Sequence, residues 1–331
     1  MNKLILLMQS NEPQTGPSVS RSQRTVLALM MSALLLAVLM MITPLNAMAA
    51  QKNYVVKSPD GVDIAVQESG DPAGPPIVFI HGLLGSHLNW DGQLNSPELS
   101  HYRLITFDLR GHGLSGKPQD EQAYRDGRRW AGDLRAVLAS TRAENPVLVG
   151  WSLGGAVITN YLAAFGDEEV GGLVYVGGVI ELNSKLITPH PQVYAGLASD
   201  DLKVHLDAVR DFLALCFATQ PDQPTFERLL SNAATASWMM TRVMPSMSVF
   251  AAEALPKIKV PVLMLYGEKD ALVTVRPSLD HAKALNPAIR SQIYANSGHA
   301  PFLEEPQRFN RDLADFRDFY LDTLTIMVTS G

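Results

Sequence analysis

The sequence has little cysteine, little charge and no excess of basic residues. Its single cysteine, Cys216, excludes an intrachain disulfide and any cysteine-based metal cluster in the 331-residue chain. Charged residues make up 18%, and 33 Asp and Glu against 27 Lys and Arg give a net charge of −6. A nucleic-acid-binding protein would need a basic face, so that class is excluded. No group of residues has the spacing of metal ligands, so no metal is expected.

Hydrophobic residues make up 47% of the chain, which is enough for a large folded domain. One long apolar run, Val26–Ile42, carries no charge; Arg21 and Arg24 precede it and Ala47-Met48-Ala49 follows it. A basic segment, an apolar segment and a small-x-small tripeptide are the anatomy of a secretory signal peptide. We therefore predict that residues 1–49 are a leader cleaved after Ala49, which makes the mature protein periplasmic or secreted.

The apolar run is also close to the minimum length of a membrane-spanning helix, roughly 17 residues. An uncleaved anchor is therefore the alternative, with membrane association through residues 26–42 and the catalytic domain outside the cytoplasm. In both cases residues 50–331 form the folded domain.

Beyond the leader, strand patterns alternate with helix patterns. Val62–Glu68 alternates apolar and polar residues, which predicts a half-buried edge strand. Short apolar runs bounded by Gly or Pro predict buried parallel strands at Ile77–Ile80, Arg103–Phe107, Val147–Val149, Leu173–Val176, Val262–Tyr266 and Gln292–Tyr294. Apolar residues at helical spacing predict helices at Ala123–Ser140 and Pro306–Thr323. This alternation is typical of an α/β protein whose parallel sheet is covered on both faces.

One stretch of about eighty residues interrupts the alternation, between Val179 and Val262. An apolar stripe predicts a helix there, formed by Leu202, Leu206, Val209, Leu213 and Phe217, and a methionine-rich segment follows at Met239–Met247. A helical insertion in a parallel-sheet protein covers the strand ends where sites lie. We predict a helical cap at about residues 181–256.

Gly150-Trp151-Ser152-Leu153-Gly154 matches the G-x-S-x-G motif, between an apolar strand and the helical pattern Ala156–Phe165. This strand–turn–helix context is what the motif requires, because the serine must sit on a sharp turn above the sheet. Ser152 is therefore the predicted nucleophile.

A serine hydroxyl needs a base, and the base needs a carboxylate to orient it. His299 follows the last strand, at the same sheet edge as Ser152, and Asp270 lies just beyond the preceding strand. The order Ser, Asp, His is the one expected for this type of sheet. Glu181, which follows the sixth strand, is the alternative acid.

An oxyanion formed during attack needs two backbone N–H donors. Leu153, which follows the nucleophile, should supply one. The other should come from His81-Gly82-Leu83-Leu84-Gly85, with Leu83 as the predicted donor. His81 itself is interpreted as a residue that stabilises the turn by hydrogen bonding.

These motifs together resemble the α/β-hydrolase superfamily over nearly all of residues 52–325. The matching segments are HGLLGS at His81, FDLRGHGLSGKP at Phe107, GWSLGG at Gly150, and YGEKD and SGHAPFLEEP near the C-terminus. GWSLGG with a helical cap is most similar to the cofactor-free serine esterase and haloperoxidase-type branch. The resemblance implies a mostly parallel eight-stranded sheet, with His87 and His112 lining or supporting the entrance. It also disfavours epoxide and haloalkane hydrolysis, for which relatives use aspartate as the nucleophile.

The residues around the motifs are apolar, among them Leu83, Leu84, Trp90 and Trp151. They favour a small or medium apolar ester, or a lactone, as the small-molecule substrate, cleaved through an acyl-enzyme on Ser152. The methionine segment either adapts to varied substrates or forms the cap core. C–C bond hydrolysis, amide hydrolysis and acyl transfer would use the same triad, and a non-catalytic binding protein on this fold is a further alternative.

Overall fold

A computed structural model describes residues 51–329, without the side chains of residues 319–329, together with Ser22 and Met30. The chain divides into two compact units, Met1–Ala47 and Met48–Gly331. The second unit contains the sheet and the site and is the one described below.

The predicted leader, residues 1–49, lies outside the described residues apart from Ser22 and Met30. The predicted apolar segment, residues 26–42, is represented only by Met30. Within the part of the chain that the structure describes, no helix has the length and apolar character needed to cross a membrane.

The described residues contain an eight-stranded sheet in the order β1-β2-β4-β3-β5-β6-β7-β8. Its strands are β1 (Lys52–Lys57), β2 (Asp63–Gly70), β3 (Pro76–Ile80), β4 (Arg103–Phe107), β5 (Val147–Trp151), β6 (Gly172–Val176), β7 (Val262–Gly267) and β8 (Arg290–Tyr294). The first three strands in this order pair antiparallel, and all later neighbours are parallel. The predicted mostly parallel eight-stranded sheet is confirmed, and the carboxyl ends of β3 and β5 to β8 meet at one edge.

The central strands are buried because their sequences are continuously apolar. All five residues of β5 and all five of β6 are buried. The prediction that Val62–Glu68 is an edge strand is wrong, because β2 pairs with β1 on one side and β4 on the other. The true edge, β1, buries only Val56 and has lysines at both ends, so its sequence carries little strand signal.

Twelve α-helices lie in the described part of the chain. They are α1 (Asp91–Leu94), α2 (Gln122–Arg125), α3 (Gly127–Thr141), α4 (Leu153–Phe165), α5 (Pro191–Leu197), α6 (Leu202–Leu215), α7 (Gln223–Ala233), α8 (Trp238–Val243), α9 (Ala251–Ala254), α10 (Val275–Leu285), α11 (Pro301–Glu304) and α12 (Pro306–Thr329). The helix predicted at Ala123–Ser140 is divided at Asp126, whose extended backbone lets its carboxylate accept the Arg128 N–H and start α3.

Helices α5 to α9 lie between β6 and β7, in the segment predicted to be a cap. We refer to residues 181–256 as the cap segment. The predicted apolar stripe on α6 is only half right, because Leu202 and Leu206 are 60% and 42% exposed. The first turns of α6 bury His205 instead, which stacks on Trp238 with ring centroids 4.2 Å apart. The later part of the stripe is buried as predicted, at Val209, Leu213 and Phe217.

Candidate active site

Ser152 lies in the turn from β5 to α4, with φ 53° and ψ −115°. This backbone conformation is strained for a residue with a side chain and persists only where its surroundings enforce it. The Ser152 N–H donates to the Val176 carbonyl at 3.0 Å, which ties the turn to β6. A side chain at Gly154 would approach the Ile80 carbonyl oxygen to 2.4 Å, so β3 packs directly on the turn. The sheet therefore holds the serine at its carboxyl edge.

His299 and Asp270 form a buried hydrogen bond between Nδ1 and Oδ2, 2.7 Å apart. Both side chains are almost fully buried, at 1% and 0% exposure. The other carboxylate oxygen of Asp270 accepts the N–H groups of Leu272 and Val273 at 2.8 and 2.9 Å. Because Nδ1 faces a carboxylate, the proton of a neutral ring belongs on Nδ1 and Nε2 is left as an acceptor. Nε2 is buried and has no hydrogen-bond partner among the described residues.

Trp151 connects the serine turn to the histidine loop, a contact that sequence reasoning missed. Its Nε1–H donates to the His299 carbonyl oxygen at 2.9 Å. The Trp151 and His299 rings lie 5.8 Å apart between centroids. Trp151 is therefore more than the apolar surface that its sequence context predicts, because it fixes the backbone of the residue that carries the imidazole.

The two predicted oxyanion donors line the same cavity as Ser152. Leu153 is the first residue of α4, and Leu83 lies in a turn closed by a hydrogen bond from Gly85 N–H to Gly82 O at 3.0 Å. Leu84 in that turn has φ 61°, a left-handed conformation that is strained for leucine. Among the described residues, no acceptor bonds to the N–H of Leu83 or Leu153. Both N–H groups are therefore unpaired, in residues that line the cavity.

His81 supports the turn that contains Leu83. Its Nε2 accepts the Leu109 N–H at 2.9 Å, so its proton sits on Nδ1, which donates to Gly82 O at 2.8 Å. Burial lowers the pKa of His81 to about 4. This geometry agrees with the interpretation of His81 as a turn-stabilising residue.

His87 and His112 do not line the cavity that contains Ser152. His112 is fully buried against His81, with ring centroids 5.0 Å apart, and burial lowers its pKa to about 3. His87 bonds through its backbone N–H and its ring to Asp108, at 2.7 and 2.8 Å. Both histidines thus belong to the support of the loops rather than to the wall of the cavity.

Glu181, the alternative acid, lies away from the imidazole of His299. Its Oε1 is 3.0 Å from Nε2 of His281, and its Oε2 accepts a hydrogen bond from Asn183 at 2.8 Å. The structure therefore brings Asp270, and not Glu181, to His299.

The cavity beside Ser152 has a volume of about 280 Å³. Ten of its sixteen lining residues come from the cap segment, and none of the sixteen has a charged side chain. The sixteen are Leu83, Ser152, Leu153, Val179, Leu182, Asn183, Ser184, Ile187, Thr188, Pro189, Tyr194, Phe212, Met244, Pro245, Leu272 and Val273. Of the methionine-rich segment, Met244 lines the cavity, whereas Met240 and Met247 are buried in the core. Such a cavity fits an uncharged molecule of modest size.

Comparison with known proteins places these features in a recognised group. The family model described as alpha/beta hydrolase fold matches residues 75–306. A crystal structure from Burkholderia cenocepacia, provisionally assigned as an aryl esterase, is 62% identical, with a TM-score of 0.81 over 82% of this chain and 100% of that one. The esterase RhEst1 from Rhodococcus is 33% identical, with a TM-score of 0.74 over 80% of this chain and 98% of that one. A non-heme haloperoxidase from Rhodococcus erythropolis is 27% identical over 79% of this chain and 98% of its own length.

The buried state of His112 predicts a specific loss of stability in acid. Above about pH 6.5 the imidazole is neutral in both the folded and the unfolded chain, so it has no effect. Between that pH and about pH 3 only the unfolded chain takes up the proton, and stability falls with decreasing pH. Between pH 7 and pH 5, the free energy of unfolding should therefore fall by about 2 kcal/mol less in His112→Gln than in wild type. The expected slope of this difference below pH 6.5 is about 1.4 kcal/mol per pH unit.

Urea unfolding at the two pH values measures this difference. His101→Gln, at an exposed histidine, is the control and should follow wild type. Equal pH dependence of wild type and His112→Gln would show that His112 is not held neutral in the folded protein.

Proposed function

The chain belongs to the α/β-hydrolase family, in its esterase and haloperoxidase-type branch, and we propose that it is a serine esterase. Its esterase relatives support hydrolysis of esters in general. In this proposal it cleaves carboxylic esters or lactones of small to medium apolar molecules through an acyl-enzyme on Ser152. The catalytic groups are Ser152, His299 and Asp270, with the N–H groups of Leu83 and Leu153 as the oxyanion hole.

The reaction starts when the Ser152 hydroxyl attacks the ester carbonyl carbon and His299 Nε2 takes its proton. Asp270 stabilises the imidazolium through the bond to Nδ1. The carbonyl oxygen becomes negatively charged and accepts hydrogen bonds from the N–H groups of Leu83 and Leu153. Collapse of this intermediate breaks the bond to the leaving alcohol, which receives the proton from His299. Water then attacks the acyl-enzyme by the same steps, which releases the acid and restores Ser152.

One observation carries this proposal. The buried Nε2 of His299 has no partner among the described residues, while Nδ1 is fixed by a fully buried carboxylate. A buried polar atom without a partner costs stability, so its retention beside a nucleophile-type turn supports a role as a proton acceptor.

The substrate class follows from the cavity and from the relatives. A lining without charge disfavours charged or phosphorylated substrates, whose desolvation would not be repaid there. The 62% identity to the Burkholderia protein assigned as an aryl esterase supports aryl esters as the first substrates to test. The cap segment, in this proposal, forms the wall that selects the size of the acyl group.

Ser152→Ala should abolish hydrolysis of 4-nitrophenyl esters, because in this proposal the Ser152 hydroxyl forms the acyl-enzyme. The expected loss in kcat is several orders of magnitude, on the order of 10⁶ in a well-studied triad. Ser184→Ala removes a different hydroxyl from the same cavity and should keep turnover within a few-fold. Labelling with a fluorophosphonate probe should follow the same pattern, and near-normal turnover in Ser152→Ala would contradict the assignment of the nucleophile.

Asp270→Asn should preserve the fold but favour the wrong tautomer of His299. The loss in kcat should be on the order of 10⁴, the value of the corresponding change in a serine protease. Glu181→Gln is the matched control, because Glu181 bonds to His281 and not to His299. An inactive Glu181→Gln beside an active Asp270→Asn would move the acid to the end of β6.

We also propose that the esterase is exported, with residues 1–49 as its leader. Its evidence is the apolar run from Val26 to Ile42 between Arg24 and the Ala47-Met48-Ala49 tripeptide. Protein isolated from the native host should begin at Ala50 by N-terminal sequencing. Recovery of residues 26–42 in a membrane fraction would favour the uncleaved anchor.

A further inference from the structure

One carboxylate joins the cap segment to the loop that carries His299. Glu304, the last residue of α11, accepts the N–H groups of Ala218 and Thr219 on Oε1, at 2.9 and 3.0 Å. Its Oε2 accepts the N–H of Gly298 at 2.7 Å. Ala218 and Thr219 belong to the cap segment just beyond α6, and Gly298 directly precedes His299 in the chain. The two oxygens therefore hold two different parts of the active site.

The backbones at the two ends of this connection touch. A side chain at Gly298 would approach the Ala218 backbone nitrogen to 2.6 Å, so only glycine permits the contact. Cys216, two residues before Ala218, is 2% exposed. The chain just beyond the cap helix α6 thus lies in direct contact with the histidine loop at Gly298.

Two of the contacts that hold the backbone around His299 come from Trp151 and Glu304. Trp151 binds the carbonyl oxygen of His299, and Glu304 binds the N–H of Gly298. The contact from Trp151 comes from the turn at Ser152. The contact from Glu304 also involves the cap segment, because the same carboxylate accepts the N–H groups of Ala218 and Thr219. Loss of the contact from Glu304 would release the Gly298 N–H beside the imidazole, while the bonds of Trp151 and Asp270 to His299 and the bond from Lys269 N–H to the Ser297 carbonyl oxygen would remain.

The cap end also carries part of the cavity wall. Phe212 lies on α6, one turn before Cys216, and lines the cavity beside Ser152. A shift of the end of α6 would therefore move the wall that a substrate contacts. Through Glu304, the same shift is coupled to the position of the base.

We propose that Glu304 is a positioning residue that fastens the end of cap helix α6 to the His299 loop and so fixes the substrate wall and the base in one geometry. The inference rests on the proposed function, because it assigns His299 as the base. Glu304 acts through His299 and touches no reacting atom.

Glu304→Gln tests the connection, because an amide has one acceptor oxygen and an NH₂ group. If the oxygen faces Ala218 and Thr219, the NH₂ opposes the Gly298 N–H; if it is turned around, the NH₂ opposes the two cap donors. Either orientation breaks one end. Glu305→Gln is the matched control, since Glu305 accepts a hydrogen bond from the Ser297 hydroxyl at 2.6 Å and, among the described residues, has no hydrogen bond or ion pair with the cap segment.

Two readouts distinguish positioning from a general loss of structure. Cys216 is the only cysteine in the sequence, so its rate of reaction with Ellman's reagent reports opening of the cap end. This rate should rise about tenfold in Glu304→Gln, the size expected for one charge-assisted hydrogen bond. The kcat per fluorophosphonate-titrated site should fall about 10- to 100-fold with KM changed less than about threefold, because a misplaced base affects the chemical step. Glu305→Gln should leave both quantities within about threefold.

Other results would overturn the proposal in distinct ways. Faster labelling with unchanged kcat would show that Glu304 fastens the cap without positioning His299. Unchanged labelling, or an equal loss of kcat in Glu305→Gln, would show that the connection to the cap is not what places the base. A wild-type protein that neither hydrolyses esters nor reacts with the fluorophosphonate probe would instead refute the proposed function, and the positioning role with it. Cys216 labelling would then report only whether Glu304 fastens the cap.

Discussion

The strained turn at Ser152 is the constraint on which the arrangement of the site depends. Its carbonyl oxygen accepts the N–H groups of Gly155 and Val179, both at 2.9 Å, while its own N–H is bound by β6. Three consecutive residues then serve three purposes: Trp151 holds the His299 backbone, Ser152 presents its hydroxyl, and Leu153 presents a free N–H. A conformation costing about 1–3 kcal/mol is sustained because three strands of the sheet enclose it.

Beneath this turn, buried polar groups fix the loops that follow β3 and β4. Arg110 is fully buried and forms a bidentate pair with Asp133, with both nitrogen–oxygen distances at 2.7 Å, and a second contact with Asp60. A buried guanidinium is tolerated only when it is paired in this way. Asp108 accepts the N–H groups of His87 and Leu114 at 2.7 Å each, which joins the loop after β3 to the loop after β4. Polar contacts, and not apolar packing alone, therefore hold the loop after β3 against the loop after β4.

The sequence allowed the sheet and the site to be predicted where a local pattern reports the structure. Short apolar runs bounded by Gly or Pro, such as Val147–Val149, indicate buried strands, and the turn at Ser152 is defined by residues adjacent in sequence. The edge strand β1 could not be predicted, because its pairing partner and not its composition makes it a strand. The exposure of Leu202 and Leu206 was missed for a similar reason, since the buried face of α6 is set by distant residues such as Trp238.

The same distinction applies to contacts in the site. The order of Ser152, Asp270 and His299 along the chain was informative because parallel strands end at one edge of the sheet. The bonds of Trp151 and Glu304 to the histidine loop join residues 148 and 6 positions apart, with no periodic signal in the sequence. The sixth strand is followed by a carboxylate as well, and only the three-dimensional pairing of Glu181 with His281 separates it from Asp270.

A lining without a cation has a consequence for how a reaction cycle would end. Hydrolysis of a neutral ester produces a carboxylic acid, which is ionised at neutral pH. No charged side chain lines the cavity, so the anion would have no counter-charge there. Its desolvation is unfavourable, whereas that of the neutral ester is much less so. In the proposed reaction, a wall that would accept a neutral ester would thus disfavour the ionised acid product, and ionisation would favour its release into water.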